Sequence, residues 1–190
     1  MRNDDFRSKK LVFIDIETTG LSLINSEIIE LAAIVCDGIS LKIEKTFHSR
    51  IKPLHMERAE KEALLVNGYD PIKWRDAREL KDVLLEFGNL APSGILVGWN
   101  VSFDWAFLDK AFEENQIIHK FDYHKIDAMS VAYAELFKKG AFASISLRKV
   151  AVTFNVKLPA VHDAANDTRA TYEIFKKIMA GNKVQDTLGI

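Results

Sequence analysis

The stretch "LVFIDIETTG", residues 11–20, sets two carboxylates at the end of an apolar run. An extended strand alternates its side chains, so Asp15 and Glu17 share one face while Ile14 and Ile16 take the other. Two acids side by side repel, and near a core they also lose hydration. Whatever fold this chain adopts must place something beside that strand end to offset the cost.

The chain has 190 residues, 48% of them hydrophobic, which suits one compact domain, 1–190, with a sizeable core. Basic and acidic residues nearly balance, 26 against 27. That balance excludes a protein that coats nucleic acid through bulk positive charge, and leaves room for one that grips a few nucleotides at a metal site. The single cysteine, Cys36, cannot form an internal disulfide and predicts a reducing, cytoplasmic setting. No apolar run approaches the roughly 18 residues of a membrane span, and "MRNDDFRSKK" lacks the pattern of a signal peptide, so no membrane partner is expected.

Pattern reading gives strands at 10–17, 27–38 and 41–53, the second closing on an Asp37–Gly38 turn. Their short spacings predict an antiparallel meander. Helices follow at 57–66, closed by Asn67–Gly68, and at 76–90, capped by Asp76. A buried strand at 94–100 leads to a helix over 102–115 capped by Ser102, and helices at 126–137, 146–154 and 163–179 complete the chain. Strands first and helices after, with a further strand between them, predict an α/β or α+β domain.

Two helices carry an acid where an apolar stripe should continue. On the last helix Thr171, Ile174, Phe175 and Ile178 form a face, and one turn back from Thr171 stands Asp167. On the 102–115 helix Phe107, Leu108, Ala111 and Phe112 form the face, and one turn back from Leu108 stands Asp104. Taken singly, either aspartate reads as a first-turn acid that favours the helix dipole. Together with Asp15 and Glu17, four acids end core elements in one small domain, and divalent cations are the usual remedy if they converge. Oxygen donors suit Mg²⁺ or Mn²⁺, and a pair of such ions runs in-line phosphoryl displacement. "VHDAANDT" adds His162 as a candidate base five residues before Asp167. His48, His55, His119 and His124 read as ordinary loop or surface histidines. Asp163 reads as the cap of the last helix, Asp127 as the cap of the 127–137 helix, and Asp109 and Asp122 as solvated acids.

"FIDIETTG", "NVSFD" and "HDAANDT" resemble, in order and spacing, the three exonuclease motifs of the DEDD superfamily in its histidine-bearing (DEDDh) branch. The resemblance covers about residues 10 to 180 of the chain. It implies a ribonuclease H-like fold, a mixed central sheet with its first three strands antiparallel and helices flanking it. It implies hydrolysis from a nucleic-acid 3′ end, releasing 5′-monophosphates with two divalent ions, Mg²⁺ or Mn²⁺. Asp15, Glu17, Asp104 and Asp167 would then be the metal ligands and His162 the general base. The backbone around Thr18 and Thr19 would lie beside the terminal sugar, and Leu21 or Phe103 would pack on terminal bases. Asn100 would support the local geometry. Many proofreading relatives carry His-Gly-Ile where this chain has Asn67-Gly68-Tyr69, which makes Asn67 a candidate substrate contact. Some carry His where this chain has Trp99, which reads as a core residue or a stacking surface.

Three functions follow from this reading. The first is a 3′→5′ exonuclease favouring single-stranded DNA, in proofreading or repair, with a polymerase as candidate partner. The second is an exoribonuclease trimming RNA 3′ ends. The third, of another class, is a non-catalytic domain that binds nucleic acid or a polymerase. The short tail "GNKVQDTLGI" weighs against a polymerase-binding extension, and oligomeric state is left open.

Overall fold

The computed structural model describes residues 5–140, 142–159 and 162–181. Five strands form one mixed sheet in the order β3-β2-β1-β4-β5. β1 (Leu11–Thr18), β2 (Ile28–Cys36) and β3 (Ile43–Arg50) make the antiparallel meander, whereas β4 (Ile95–Gly98) and β5 (Lys125–Asp127) run parallel to β1. β2 is buried along its whole length, as a near-continuous apolar run requires when both faces are covered. β3 forms one edge of the sheet and exposes most of its first half.

Alternation along β1 feeds two cores. Val12, Ile14 and Ile16 pack with Leu84 and Phe87 of α2 (Leu80–Phe87) and Leu108 and Phe112 of α3 (Val101–Glu114). Leu11 and Phe13 point the other way, toward α4 (Ala128–Lys139) and α6 (Ala164–Met179), and Phe13 meets the rings of Tyr172 and Phe175 edge-on at 5.4 and 5.3 Å. A third cluster joins α4, α5 (Leu147–Thr153) and α6 through Leu136, Val150, Phe154 and Ile174. Asp15 and Glu17 continue the Leu11–Phe13 face, so the last helix lies over them. Trp99 is partly buried, packed against two of these clusters with its indole N–H donated to Ile145 O at 3.2 Å.

Several boundaries differ from the pattern reading, each for a local reason. The segment before α2 does not start a helix at Asp76, because Ile51 and Arg78 form a parallel bridge: Arg78 N donates to Arg50 O and Lys52 N to Arg78 O. Backbone so engaged cannot enter a helix until Leu80. α1 is only Lys61–Val66, since Met56–Arg58 form a separate 3₁₀ turn and the amide of Glu60 is held by Thr19 O. α3 is capped at Asn100, not Ser102; Asn100 adopts the left-handed conformation (φ 64°), which asparagine tolerates better than most residues. β5 takes the first residues of what the pattern gave to a helix, being too short to show alternation. Asp127 and Asp163 do cap α4 and α6, each accepting a backbone N–H three residues on. Asp122 is not solvated: its carboxylate is bound by Lys9 and by the backbone and imidazole of His124. The tail from residue 182 lies outside the described residues. No helix among the described residues is long and apolar enough to cross a membrane.

Candidate active site

β4 ends at Gly98 and pairs with β1 only as far as Phe13. Beyond that point the β4-side edge of β1 is open. The first turn of α3 fills it: Ile16 N donates to Asp104 Oδ1 at 3.1 Å, and Asp104 is only 3% exposed. The turn that makes this possible is fixed by Asn100, whose amide donates to Asp127 Oδ1 at 2.9 Å while its carbonyl accepts Phe103 N. Asn100 therefore supports the local geometry, and Asp127, besides capping α4, ties the end of β4 to the end of β5.

From the opposite face α6 brings its own acid. Asp163 caps the helix and sets its first turn, which places Asp167 over the Asp15–Glu17 face. Asp167 is 4% exposed; its Oδ2 lies 3.0 Å from His162 Nδ1, and its Oδ1 is buried with no hydrogen-bond partner. A buried carboxylate oxygen with nothing to bind is costly, and a cation satisfies it. Ligand atoms of Glu17, His162 and Asp167 all lie within 4.8 Å of one another.

The electrostatics agree with the packing. Loss of hydration, then repulsion from Asp104, Asp167 and Glu17, raises the Asp15 carboxyl well above its ordinary range. Loss of hydration followed by the charge of Asp167 pushes Glu17 up to about 8. Asp104 and Asp167 are raised as well, chiefly by loss of hydration. For Asp104 the N–H of Ile16 pulls the other way, and for Asp167 His162 does. Four carboxyls held in this state resist ionisation until a cation is bound beside them. Oxygen donors in that number fit hard divalent cations, and the unpartnered Asp167 Oδ1 is the atom with most to gain.

Of the five residues singled out for chemistry, Glu17, His162 and Asp167 bring their ligand atoms together, and Asp15 and Asp104 stand near enough to act on them through charge. The five singled out for substrate divide. Leu21 is 76% exposed on the loop after β1, and Phe103 is partly buried against Phe107, ring centroids 5.0 Å apart. Thr18, Thr19 and Asn67 are buried, and their polar groups are already used. Thr18 O accepts from Asn67 Nδ2 at 3.0 Å, Thr19 O accepts from Glu60 N, and Thr19 N donates to Glu27 O. Gly20 follows because Glu60 presses on it; a Cβ there would stand 2.4 Å from Glu60 Oε1. These residues are tied to one another and to Glu27 and Glu60, with their hydrogen-bonding groups turned inward.

One buried acid escaped the sequence reading. Glu30 stands directly across from Glu17 in the β1–β2 register and is 1% exposed. Its Oε1 lies 2.5 Å from His48 Nε2, so His48 is not an idle surface histidine. The charge of Glu30 adds to the pressure on Asp15 and Glu17. The signal was present: "EIIELAAIVC" carries an acid inside a fully apolar strand. His119 likewise sits among rings, between Phe112 and Phe121.

Residues 12–175 match the model of the exonuclease family. Ribonuclease T of Shewanella denitrificans is 31% identical over 198 residues, covering 93% of this chain and 83% of that protein. The DNA polymerase III PolC-type protein of Bacillus subtilis is 31% identical across 88% of this chain, which spans only 11% of that much longer protein. Among solved structures, E. coli exonuclease I in complex with a dT13 oligonucleotide superposes with a TM-score of 0.78 at 19% identity, over 90% of this chain and 41% of that one. At that identity the likeness is one of fold, and it matches the mixed sheet and its flanking helices.

Proposed function

We propose, because this chain belongs to the exonuclease family, that it hydrolyses nucleotides from the 3′ end of nucleic acid at the pocket between Asp15, Glu17, Asp104 and Asp167. The observation that carries this is that Glu17 and Asp167 share a site with His162, their ligand atoms within 4.8 Å of one another and a buried oxygen of Asp167 left without a partner, while Asp15 and Asp104 lie close enough for their charges to act on the same group. Such an arrangement is a liability in a protein that binds no cation, and an asset in one that does.

The four carboxylates would hold divalent ions, Mg²⁺ or Mn²⁺. Bound there, such ions would supply an acidified attacking water and positive charge for the phosphate oxygens. His162 would take the proton. Its Nδ1 lies 3.0 Å from Asp167 Oδ2; with Asp167 ionised beside a cation, Nδ1 would donate that hydrogen bond and Nε2 would be left to accept the proton. Glu17 and Asp167 flank the imidazole and stabilise it once it is charged. Leu21, exposed on the loop after β1, and the partly exposed Phe103, next to Asp104 in the chain, would supply apolar surface suited to base faces.

Single-stranded DNA is the substrate we favour, since exonuclease I is shown with a DNA oligonucleotide on the same fold. The Ribonuclease T relatives bear the name of an RNA enzyme, so RNA is the direct competitor. The homologous stretch in PolC-type DNA polymerase III lies within a longer polymerase chain, which makes a polymerase the partner class to test by co-elution. A matched digestion decides the substrate: 5′-labelled single-stranded DNA and RNA of one sequence, with Mg²⁺, with Mn²⁺ and with chelator. A descending ladder on DNA that vanishes with chelator supports the reading. A ladder on RNA alone transfers the same five residues to RNA end-trimming. No cleavage of either strand with metal present overturns it in favour of a binding domain.

A further inference from the structure

α1 is six residues long and buries no side chain. Leu65 is 80% exposed and Val66 is exposed beside it. A helix this short does not persist on intrinsic propensity, and with only Ala63 and Leu64 even partly buried, apolar packing does little to hold it here. Polar links at its two ends do that, and they run to the catalytic segments. At the start, Glu60 N donates to Thr19 O at 2.7 Å and the Glu60 carboxylate accepts Leu21 N at 3.1 Å. At the end, Asn67 donates Nδ2 to Thr18 O at 3.0 Å and accepts Tyr69 N at Oδ1, 3.2 Å. Gly68, at φ 63°, then turns the chain away. One residue earlier, Val66 O accepts the backbone N–H of His162 at 3.3 Å.

We propose that Asn67 is a positioning residue: through the last turn of α1 it fixes the segment carrying His162 against the end of the strand carrying Asp15 and Glu17. The side-chain amide of Asn67 fastens the turn to β1, and the neighbouring carbonyl of Val66 fastens the histidine to the same turn. Asparagine meets the requirement because one side chain must donate to a carbonyl and accept an N–H at once. Asp or Leu lacks the donor, and Ser lacks the reach. Asn67 does not touch substrate, because both ends of its amide are used inside the protein. What His162 does once it is positioned rests on the exonuclease reading; the mechanical coupling between Asn67 and His162 does not.

Asn67→Leu keeps the volume and removes the amide, and Asn67→Gln restores a donor. Amide hydrogen exchange on the chelated protein without substrate reads the coupling directly. In Asn67→Leu the His162 amide and the α1 amides should exchange faster, while those of the β1–β2 ladder keep their protection. In the digestion assay, kcat should fall roughly 10–100-fold, the scale expected when a reacting group is misplaced by a fraction of its working distance. KM should stay within about two-fold, since no substrate contact is lost. Asn67→Gln should recover part of both effects. Unchanged exchange at His162 overturns the proposal, and so does a raised KM with kcat intact, which would make Asn67 a substrate contact. An activity loss matching the unfolded fraction overturns it too. An inactive wild type would sink the exonuclease reading and leave the exchange result to decide the coupling.

Discussion

Raising the pH should destabilise this protein when metal is withheld. Glu17 titrates at about 8 in the fold against 4.5 when free. The folded state therefore keeps a proton that the unfolded chain has released, and stability falls as pH rises through that interval. The fall starts near the unfolded value and is complete above the folded one. A tenfold change in proton affinity corresponds to about 1.4 kcal/mol, so the displacement of Glu17 alone is worth at most about 5 kcal/mol, and solvent at the mouth of the pocket reduces this to a few. Asp15, Asp104 and Asp167 are displaced in the same direction and deepen the fall. His48 also contributes with the same sign: Glu30 raises its pKa, so its stabilising charge is present below 6.5 and is lost as pH rises through the folded value. Urea unfolding followed by tryptophan fluorescence, in chelator at steps between about pH 5 and pH 8, should give a midpoint that drops steadily. Mg²⁺ should flatten the curve, because bound cations make the ionised acids favourable. Glu17→Gln should remove the share of Glu17 and leave that of His48. A midpoint that is level or rising over this range in chelated wild type would refute the electrostatic account of the pocket.

Three further outcomes follow from the same geometry. Asp167→Ala should abolish most cleavage while leaving the melting temperature of chelated protein unchanged or slightly higher, because a crowded acid has gone; a large drop would show Asp167 to be structural. His162→Asn should lower the rate by roughly 10²–10⁴-fold and change the pH–rate profile, and an unchanged profile would remove His162 from the base role. Zn²⁺ should inhibit turnover supported by Mg²⁺, since the ligand atoms of Glu17, His162 and Asp167 suit it and binding there occupies the base; zinc that leaves turnover untouched, or supports it equally, would contradict this.

The acids proposed to hold metal were legible in the sequence because they violate patterns. Asp15 and Glu17 interrupt a strand, and Asp104 and Asp167 interrupt helical stripes, so each was visible as an acid where an apolar side chain belonged. Glu30 violates its strand in the same way. It passed unnoticed because its consequence depends on register: only the pairing of Glu17 with Glu30 reveals that the two share a face. The start of α2 was misread for a comparable reason. Asp76 is a sound capping residue, but Arg78 is taken by the backbone of Arg50 and Lys52, a contact between segments far apart in sequence. The candidate substrate residues divide by exposure. Leu21 is exposed and Phe103 partly so, whereas Thr18, Thr19 and Asn67 are buried with polar groups bonded internally. Hydrogen-bond partners of that kind are set by how loops close, which local pattern does not encode.

The early end of β4 makes length, more than residue identity, the vulnerable parameter in this part of the chain. Ile16 N is available to Asp104 only because no strand backbone reaches it. An insertion of two residues after Gly98 that extended the parallel ladder would supply Ile16 with a backbone carbonyl and carry the first turn of α3 away from the pocket. Every acid would still be encoded, and a motif search would still find them, yet the chain would be silent. Members of such a fold can thus lose or regain activity by indels in a segment that contains no catalytic residue.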